Sequence, residues 1–278
     1  MIGFVGSVFS PYYAWARARG TADPQDFCAI NCAFYGPDRN RWAMTERRAD
    51  TLHRDAAHLR VGPSVMCWTG DSLVIELDEI GMPLPRRIRG SIRLSAEALP
   101  RRLIALDAAG RHHWQPLAPF AHVDVQMEQP ALRWQGHGYC DMNYGSEPIE
   151  QGFRYWHWAR ARTAEGATIL YAGERRDGSH FDLALLCDRQ GAVLDRPAPA
   201  QHTLPATLWR VQRSTGSDRG MMPRVVRTLE NTPFYARSLV RGQLDGRAVT
   251  MMHESLDLDR FRNRLVQAML PFRMPRRF

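Results

Sequence analysis

The sequence predicts an all-β protein of antiparallel sheets, arranged as two consecutive barrels or sandwiches with a C-terminal helix. Three observations predict it. Short blocks rich in β-branched and aromatic residues recur along the 278 residues, separated by Gly, Pro, Asp and Asn. Hairpin-type dipeptides sit beside or between these blocks: Gly70-Asp71, Glu165-Gly166, Asp177-Gly178, Gln190-Gly191 and Asp245-Gly246. The third observation is negative, for strand blocks do not alternate with helical ones as a parallel sheet requires.

In chain order, the expected strands are Phe4–Phe9, Phe27–Tyr35, Arg41–Met44, Ser64–Trp68, Ser72–Leu77 and Arg87–Leu94. They continue with His122–Met127, Ala131–Gly138, Arg154–Arg162, Thr168–Glu174 and Phe181–Cys187. Thr207–Arg213, Arg224–Leu229, Tyr235–Val240 and Ala248–His253 complete a set too large for one small sheet. Two segments read as helix. Thr45–Leu59 mixes helix formers with many charges on a poor apolar face. Leu258–Leu270 places Phe261, Leu265, Val266, Met269 and Leu270 at helical spacing and stops at Pro271. The passage Ser146–Gly152 is the expected junction, giving domains over residues 1–148 and 149–278.

Composition narrows the function classes. All 37 basic residues are arginine, and the net charge is +8. The arginines are scattered, with clusters at Arg86–Arg89, Arg175–Arg176 and in the tail Arg273–Phe278, which argues against a nucleic-acid stripe and leaves attraction to anionic lipid headgroups open. Five cysteines at irregular spacing fit neither a disulfide framework nor a zinc ribbon and suggest a reducing compartment. Residues 1–9 are apolar but lack a basic flank and a small-residue cleavage site, so no signal peptide is expected. No stretch approaches the length of a membrane span. There is no glycine-rich dinucleotide or phosphate loop, no Gly-x-Ser-x-Gly elbow and no histidine spacing typical of zinc, so no cofactor and no metal are expected.

The stretch Gly138–Pro148, followed by Tyr155-Trp156-His157-Trp158, concentrates carboxylates, aromatics and turn residues. If the strand continues past Gly138, alternation puts Tyr139, Asp141 and Asn143 on one face. Asp141 could then be a general acid kept neutral by desolvation, or it and Asn143 could cap a turn. His112 and Trp114 share a face if their segment is extended. The histidine could orient a carboxyl or a water and the indole could stabilise a cation, although such a His pair also suits a surface or a hydrogen-bonded core. Remaining aromatics, among them Trp42, Trp68, Trp134, Tyr155, Trp156 and Trp158, suit a core and an elongated apolar cavity.

These residues resemble the acyclic carotenoid 1,2-hydratase family, also called hydroxyneurosporene synthases. The resemblance covers most of the chain. It is carried by Gly6–Trp15, Asp26–Asn31, Arg41–Glu46, His113–Pro116, Tyr139–Asn143, Gly145–Pro148 and Trp156-His157-Trp158, in that order. Longer family members carry an aromatic strand ahead of the segment matching Gly3–Trp15, so the first barrel is expected to lack it or the chain start to be placed late.

The resemblance implies two lipocalin-like β domains and the addition of water across the terminal C1–C2 double bond of an acyclic carotenoid, without cofactor. Carried over residue by residue, it points to His112, Trp114, Tyr139 and Asp141. Protonation at C2 by Asp141 would leave a tertiary cation at C1, faced by Trp114 and Tyr139, with His112 positioning the water or accepting its proton. The implied partner is a carotenoid such as neurosporene or lycopene, with cytoplasmic placement, peripheral contact with the inner or photosynthetic membrane, and no nucleic acid. Two other readings compete: a non-catalytic polyene or isoprenoid carrier, and a related enzyme that cyclises a polyene.

Overall fold

The computed structural model describes residues 1–36 and 40–277; Phe278, the last residue of the basic tail, lies outside the described residues. The chain is built mainly of antiparallel strands, as its alternation dictates. β1 (Ile2–Phe4), β2 (Cys28–Phe34) and β3 (Arg41–Arg47) form a small sheet in that order. Between β1 and β2, α1 (Pro11–Arg17) starts where the Ser10 hydroxyl accepts from the Tyr13 N–H and Pro11 occupies the first turn.

A second sheet holds β4 (Leu52–Arg54), β5 (His58–Val61), β6 (Ser64–Trp68), β7 (Ser72–Ile80) and β8 (Arg87–Ala96). The short β9 (Ile104–Ala105) pairs with β10 (His112–Gln129), and β11 (Leu132–Gly145) lies at the edge. After α2 (Ile149–Gly152) come β12 (Phe153–Arg162), β13 (Gly166–Arg175), β14 (His180–Asp188) and β15 (Val193–Arg196). A separate hairpin, β16 (Gln201–Leu204) with β17 (Arg213–Gly216), precedes β18 (Arg224–Asn231), β19 (Tyr235–Leu244) and β20 (Arg247–Asp257). The third sheet runs β15-β14-β13-β12-β20-β19-β18. α3 (Leu258–Phe261) and α4 (Arg264–Met269) follow, with a 3₁₀ turn over Leu270–Phe272 after them.

Contacts divide the chain into two compact units that are discontinuous in sequence. The first comprises residues 1–96, 121–138 and 267–278, the second 97–120 and 139–266. This division differs from a single boundary at residue 148. The long strands β10 and β11 contribute to both units, and the tail from Gln267 belongs to the first. There Arg276 forms an ion pair with buried Glu46 at 2.5 Å, and its guanidinium lies 4.4 Å from the Phe27 ring centre. The core of the first unit gathers Cys28, Ile30, Val61, Ile75, Ile88 and Val125 with their neighbours. That of the second gathers Ala159, Leu170, Leu204, Val240, Val249 and Met251.

The fold class is as expected, and several elements are corrected. Thr45–Leu59 is not helical: β3 runs to Arg47, a 3₁₀ turn follows, and β4 and β5 form a hairpin. Two of its charges are locked in pairs rather than solvated, since Glu46 and Arg47 are buried against Arg276 and Glu79. Asp55 accepts the Ala57 and His58 N–H groups and closes the hairpin turn. The terminal helix breaks at Arg262–Asn263, where the Asn263 side chain accepts from the Leu265 N–H. Leu258 and Phe261 are buried, whereas Leu265 stays 77% exposed, so only part of the expected apolar face is used. Residues 207–212 form a loop rather than a strand, with Arg210 at φ 59°, and the first strand ends at Phe4 rather than Phe9.

Candidate active site

All of the side chains in this site belong to the second unit. The segment containing His112 and Trp114 is extended, as is the one containing Tyr139 and Asp141. Strand geometry therefore projects each pair to one side. The Trp114 indole is wholly buried, and its Nε1–H donates to Asp141 Oδ2 at 2.8 Å. The Tyr139 hydroxyl donates to the same oxygen at 2.9 Å. With Oδ2 accepting twice, Oδ1 is the oxygen left to carry the acid proton when the carboxyl is neutral.

Burial pushes the Asp141 carboxyl up to about 6, opposed by the two hydrogen bonds and reinforced by the charge of Glu254. Asp141 and Tyr139 each keep part of their surface open. The protein packed around their polar ends is nevertheless dense enough to disfavour ionisation, and burial holds the Tyr139 phenol well above its ordinary value. The carboxyl is thus poorly solvated, which suits a group that holds its proton to higher pH than an ordinary aspartate.

An aromatic wall surrounds it. Tyr139 packs on Trp158 at 5.2 Å between ring centres, and the Arg160 guanidinium lies 5.2 Å from the Tyr139 ring centre, donating to the Pro119 carbonyl. Tyr171, buried, meets the Trp114 ring edge to face at 5.4 Å and Trp156 at 5.8 Å. The period of two places Trp156, Trp158 and Arg160 on one face of β12 and His157 and Ala159 on the other. In register, Trp158 stands opposite Tyr171 on β13 and Glu254 on β20.

His112 is not hydrogen-bonded to Asp141. Its Nδ1 lies 3.0 Å from Asp107 Oδ2, and its backbone N–H donates to the same oxygen. A carboxylate only accepts, so Nδ1 carries the hydrogen and Nε2 is left as the acceptor. That Nε2 is buried and has no hydrogen-bond partner among the described residues. The ring packs on Phe153 at 4.9 Å, and Gly152 lies so close that a Cβ there would stand 2.4 Å from His112 Cε1, which only glycine permits. The structure therefore brings Asp141, Trp114 and Tyr139 into direct contact. It joins His112 to them through the ring series Phe153, Trp156 and Tyr171.

Sequence reading missed Asp107, Arg160, Tyr171 and Glu254. Only strand register brings the last three to the site, and Asp107 is a loop residue with no distinguishing spacing. Two surface depressions lie elsewhere. One, about 610 Å³, is bordered by Pro63, Glu76 and Arg89; the other, about 570 Å³, by Arg154, His157 and Arg213. Neither is lined by Asp141, and the site is assigned by its chemistry rather than by concavity. Among the described residues, no group of three His, Cys, Asp or Glu side chains is placed to hold a metal ion. No described helix is long and apolar enough to cross a membrane.

Replacing Tyr139 with Phe removes a donor that favours the ionised carboxyl. The pH above which turnover is lost should therefore move upward from about 6 while the maximal rate falls. A pH–rate profile of the variant checks both effects.

Fold and site define an antiparallel β protein carrying a partly buried carboxyl in an aromatic setting. The profile of the family described as carotenoid hydratase CrtC matches residues 1–278. An acyclic carotenoid 1,2-hydratase from Thiocapsa roseopersicina is 50% identical over 99% of this chain and 68% of its own length. Relatives of the same name from Rubrivivax gelatinosus and Cereibacter sphaeroides are 44% and 40% identical, covering 99% and 100% of this chain and 69% and 98% of their own. In fold, the chain is similar to an AttH crystal structure from Nitrosomonas europaea, with a TM-score of 0.59 and 12% identity over 83% of this chain and 81% of that one. It is also similar to CghA with Sch210972, at TM-score 0.50 and 13% identity over 84% of each chain. The chain belongs to the carotenoid hydratase CrtC family and is a hydro-lyase.

Proposed function

We propose that this protein hydrates the terminal C1–C2 double bond of acyclic carotenoids such as neurosporene or lycopene, with Asp141 as the proton donor. The observation that carries this reading is the Asp141 carboxyl, raised to about 6 by burial and held by an indole and a phenol beside an aromatic wall. Asp141 Oδ1–H gives its proton to C2, the π electrons form the new C–H bond, and C1 becomes a tertiary cation. The ring faces of Tyr139 and Trp158 and the Asp141 carboxylate just formed stabilise that charge. Water oxygen then bonds to C1, and the resulting oxonium returns a proton to the Asp141 carboxylate, which restores the acid for the next turnover. Nδ1–H held on Asp107 fixes the orientation of the His112 ring, whose buried Nε2 is left as an acceptor. No redox change occurs, and the chain's own residues supply every proton transfer.

A polyene substrate partitions into membranes, so peripheral membrane contact belongs to the same proposal. Leu208, 93% exposed, and its neighbour Trp209 stand on the loop before β17 and offer an apolar tip of the kind that enters the headgroup region.

Purified protein incubated with lycopene or neurosporene in detergent or vesicles should yield a 1-hydroxy product heavier by one water. A product of unchanged mass would indicate cyclisation. Stoichiometric binding without turnover would indicate a carrier.

A further inference from the structure

We propose that Glu254, clamped by Arg237, is a further functional residue of this site, whose carboxylate sets the electrostatic field at Asp141. The geometry comes from the sheet. Glu254 lies opposite Trp158 across β20 and β12, Trp158 lies opposite Tyr171 across β12 and β13, and the three project from one face. Trp158 packs on Tyr139, whose hydroxyl is bonded to Asp141, so one indole and one phenol lie between the two carboxyl groups in this order. Arg237, opposite Glu254 on β19, donates from Nε at 2.9 Å and Nη2 at 2.8 Å to the same oxygen, Oε1. The guanidinium is 12% exposed and the Glu254 side chain 25%, so water screens the pair only in part.

Besides Cys140 and His253, which adjoin them on their own strands, the charged and titratable groups around Asp141 and Glu254 come from β11, β12, β13, β14, β18 and β19. Tyr139 faces Asp141 from its own strand, and Arg160 from β12 lies over the Tyr139 ring. Tyr171 from β13 feels both carboxylates, and Cys187 from β14 acts on Tyr139. Arg237 from β19 holds Glu254, with Glu230 from β18 on its other side at 3.8 Å. Of these, Glu254 is the negative group whose charge opposes ionisation of Asp141. Negative charge on this face also favours a cation forming beside Asp141, and only that second effect rests on the hydration reading above. Glu254 contacts no reacting atom and is therefore a positioning residue.

The test is a titration of the Asp141 carboxyl by ¹³C NMR in protein labelled at aspartate Cγ, the signal being assigned by its loss in Asp141→Asn. No carotenoid is needed. Glu254→Gln should move the titration to lower pH by roughly half a unit or more. Glu254→Asp, which keeps the charge, should leave it near that of the native protein. The double variant Glu254→Gln, Arg237→Gln removes both charges and should leave the titration between those of Glu254→Gln and the native protein, whereas a merely structural role would make it deviate further. An unmoved titration in Glu254→Gln, or a double variant displaced beyond the single one, overturns the proposal. If the titrations move as expected but no hydrated carotenoid forms, the hydration reading fails and the role of Glu254 stands.

Discussion

Replacing Asp141 with Asn should lower turnover by about 10² to 10⁴-fold, the range supplied by a positioned general acid, while leaving a folded protein that is more stable above pH 6. The loss follows from the chemistry, because an amide cannot give up a proton at the carbon to be protonated. The gain follows from the raised carboxyl, at about 6 against an ordinary 3.8. Between these values the native state holds a proton that the unfolded chain releases, so stability falls as pH rises through the window and the full penalty is present above about pH 6. A displacement of this size corresponds to at most about 3 kcal/mol. The uncharged amide of the Asp141→Asn variant would escape that penalty and still offer a carbonyl to Trp114 and Tyr139. Urea denaturation at pH 4 and pH 8 should show the advantage at pH 8 only.

Truncating Glu79 to Ala should destabilise the first unit by about 3–5 kcal/mol, the usual cost of stranding one member of a buried ion pair. Arg47 and Glu79 have side chains only 6% and 0% exposed and are joined by two hydrogen bonds, at 3.1 and 2.8 Å. Ser64 donates to Glu79 as well, and Arg47 has one further bond, to the Thr45 carbonyl. Removing the carboxylate leaves a guanidinium in the core with that single carbonyl. Replacing both residues with methionine should cost far less than Glu79→Ala alone, because it removes the desolvation cost with the charges. Denaturant midpoints of the single and double variants give the comparison.

Much of the fold is legible in the sequence because period-two patterning and turn chemistry are local. Gly178 and Gly246 adopt positive φ at hairpin turns, as Asp177-Gly178 and Asp245-Gly246 lead one to expect. Ser64–Trp68 is a strand over the expected residues. Misreadings arise where a distant partner changes the meaning of a residue. Glu46 and Arg47 look like solvated helix charges until Arg276 and Glu79 are placed on them. The strands β4, β5, β15 and β16 carry too little apolar alternation to stand out, and their pairing with neighbours completes them.

In the site, Tyr139 and Asp141 share a face as alternation requires, and the meeting of Asp141 with Trp114 comes from the pairing of β10 and β11 rather than from spacing. The resemblance, more than spacing, singled out His112. Its tether to Asp107 and the bare Nε2 appear only in three dimensions. Tyr171 and Glu254 lie 30 and 113 positions beyond Asp141 in the numbering, and nothing local marks them as part of the same centre.

Whether Asp141 delivers the proton to carbon is tested most directly by turnover in deuterated water, with the position of the label read from the product. The native protein should give a 1-hydroxy carotenoid bearing one deuterium at C2, and Asp141→Asn, shown folded by its denaturation curve, should give essentially none of it. A folded Asp141→Asn protein that forms the C2-deuterated product at the native rate would contradict the assignment of Asp141 as the acid.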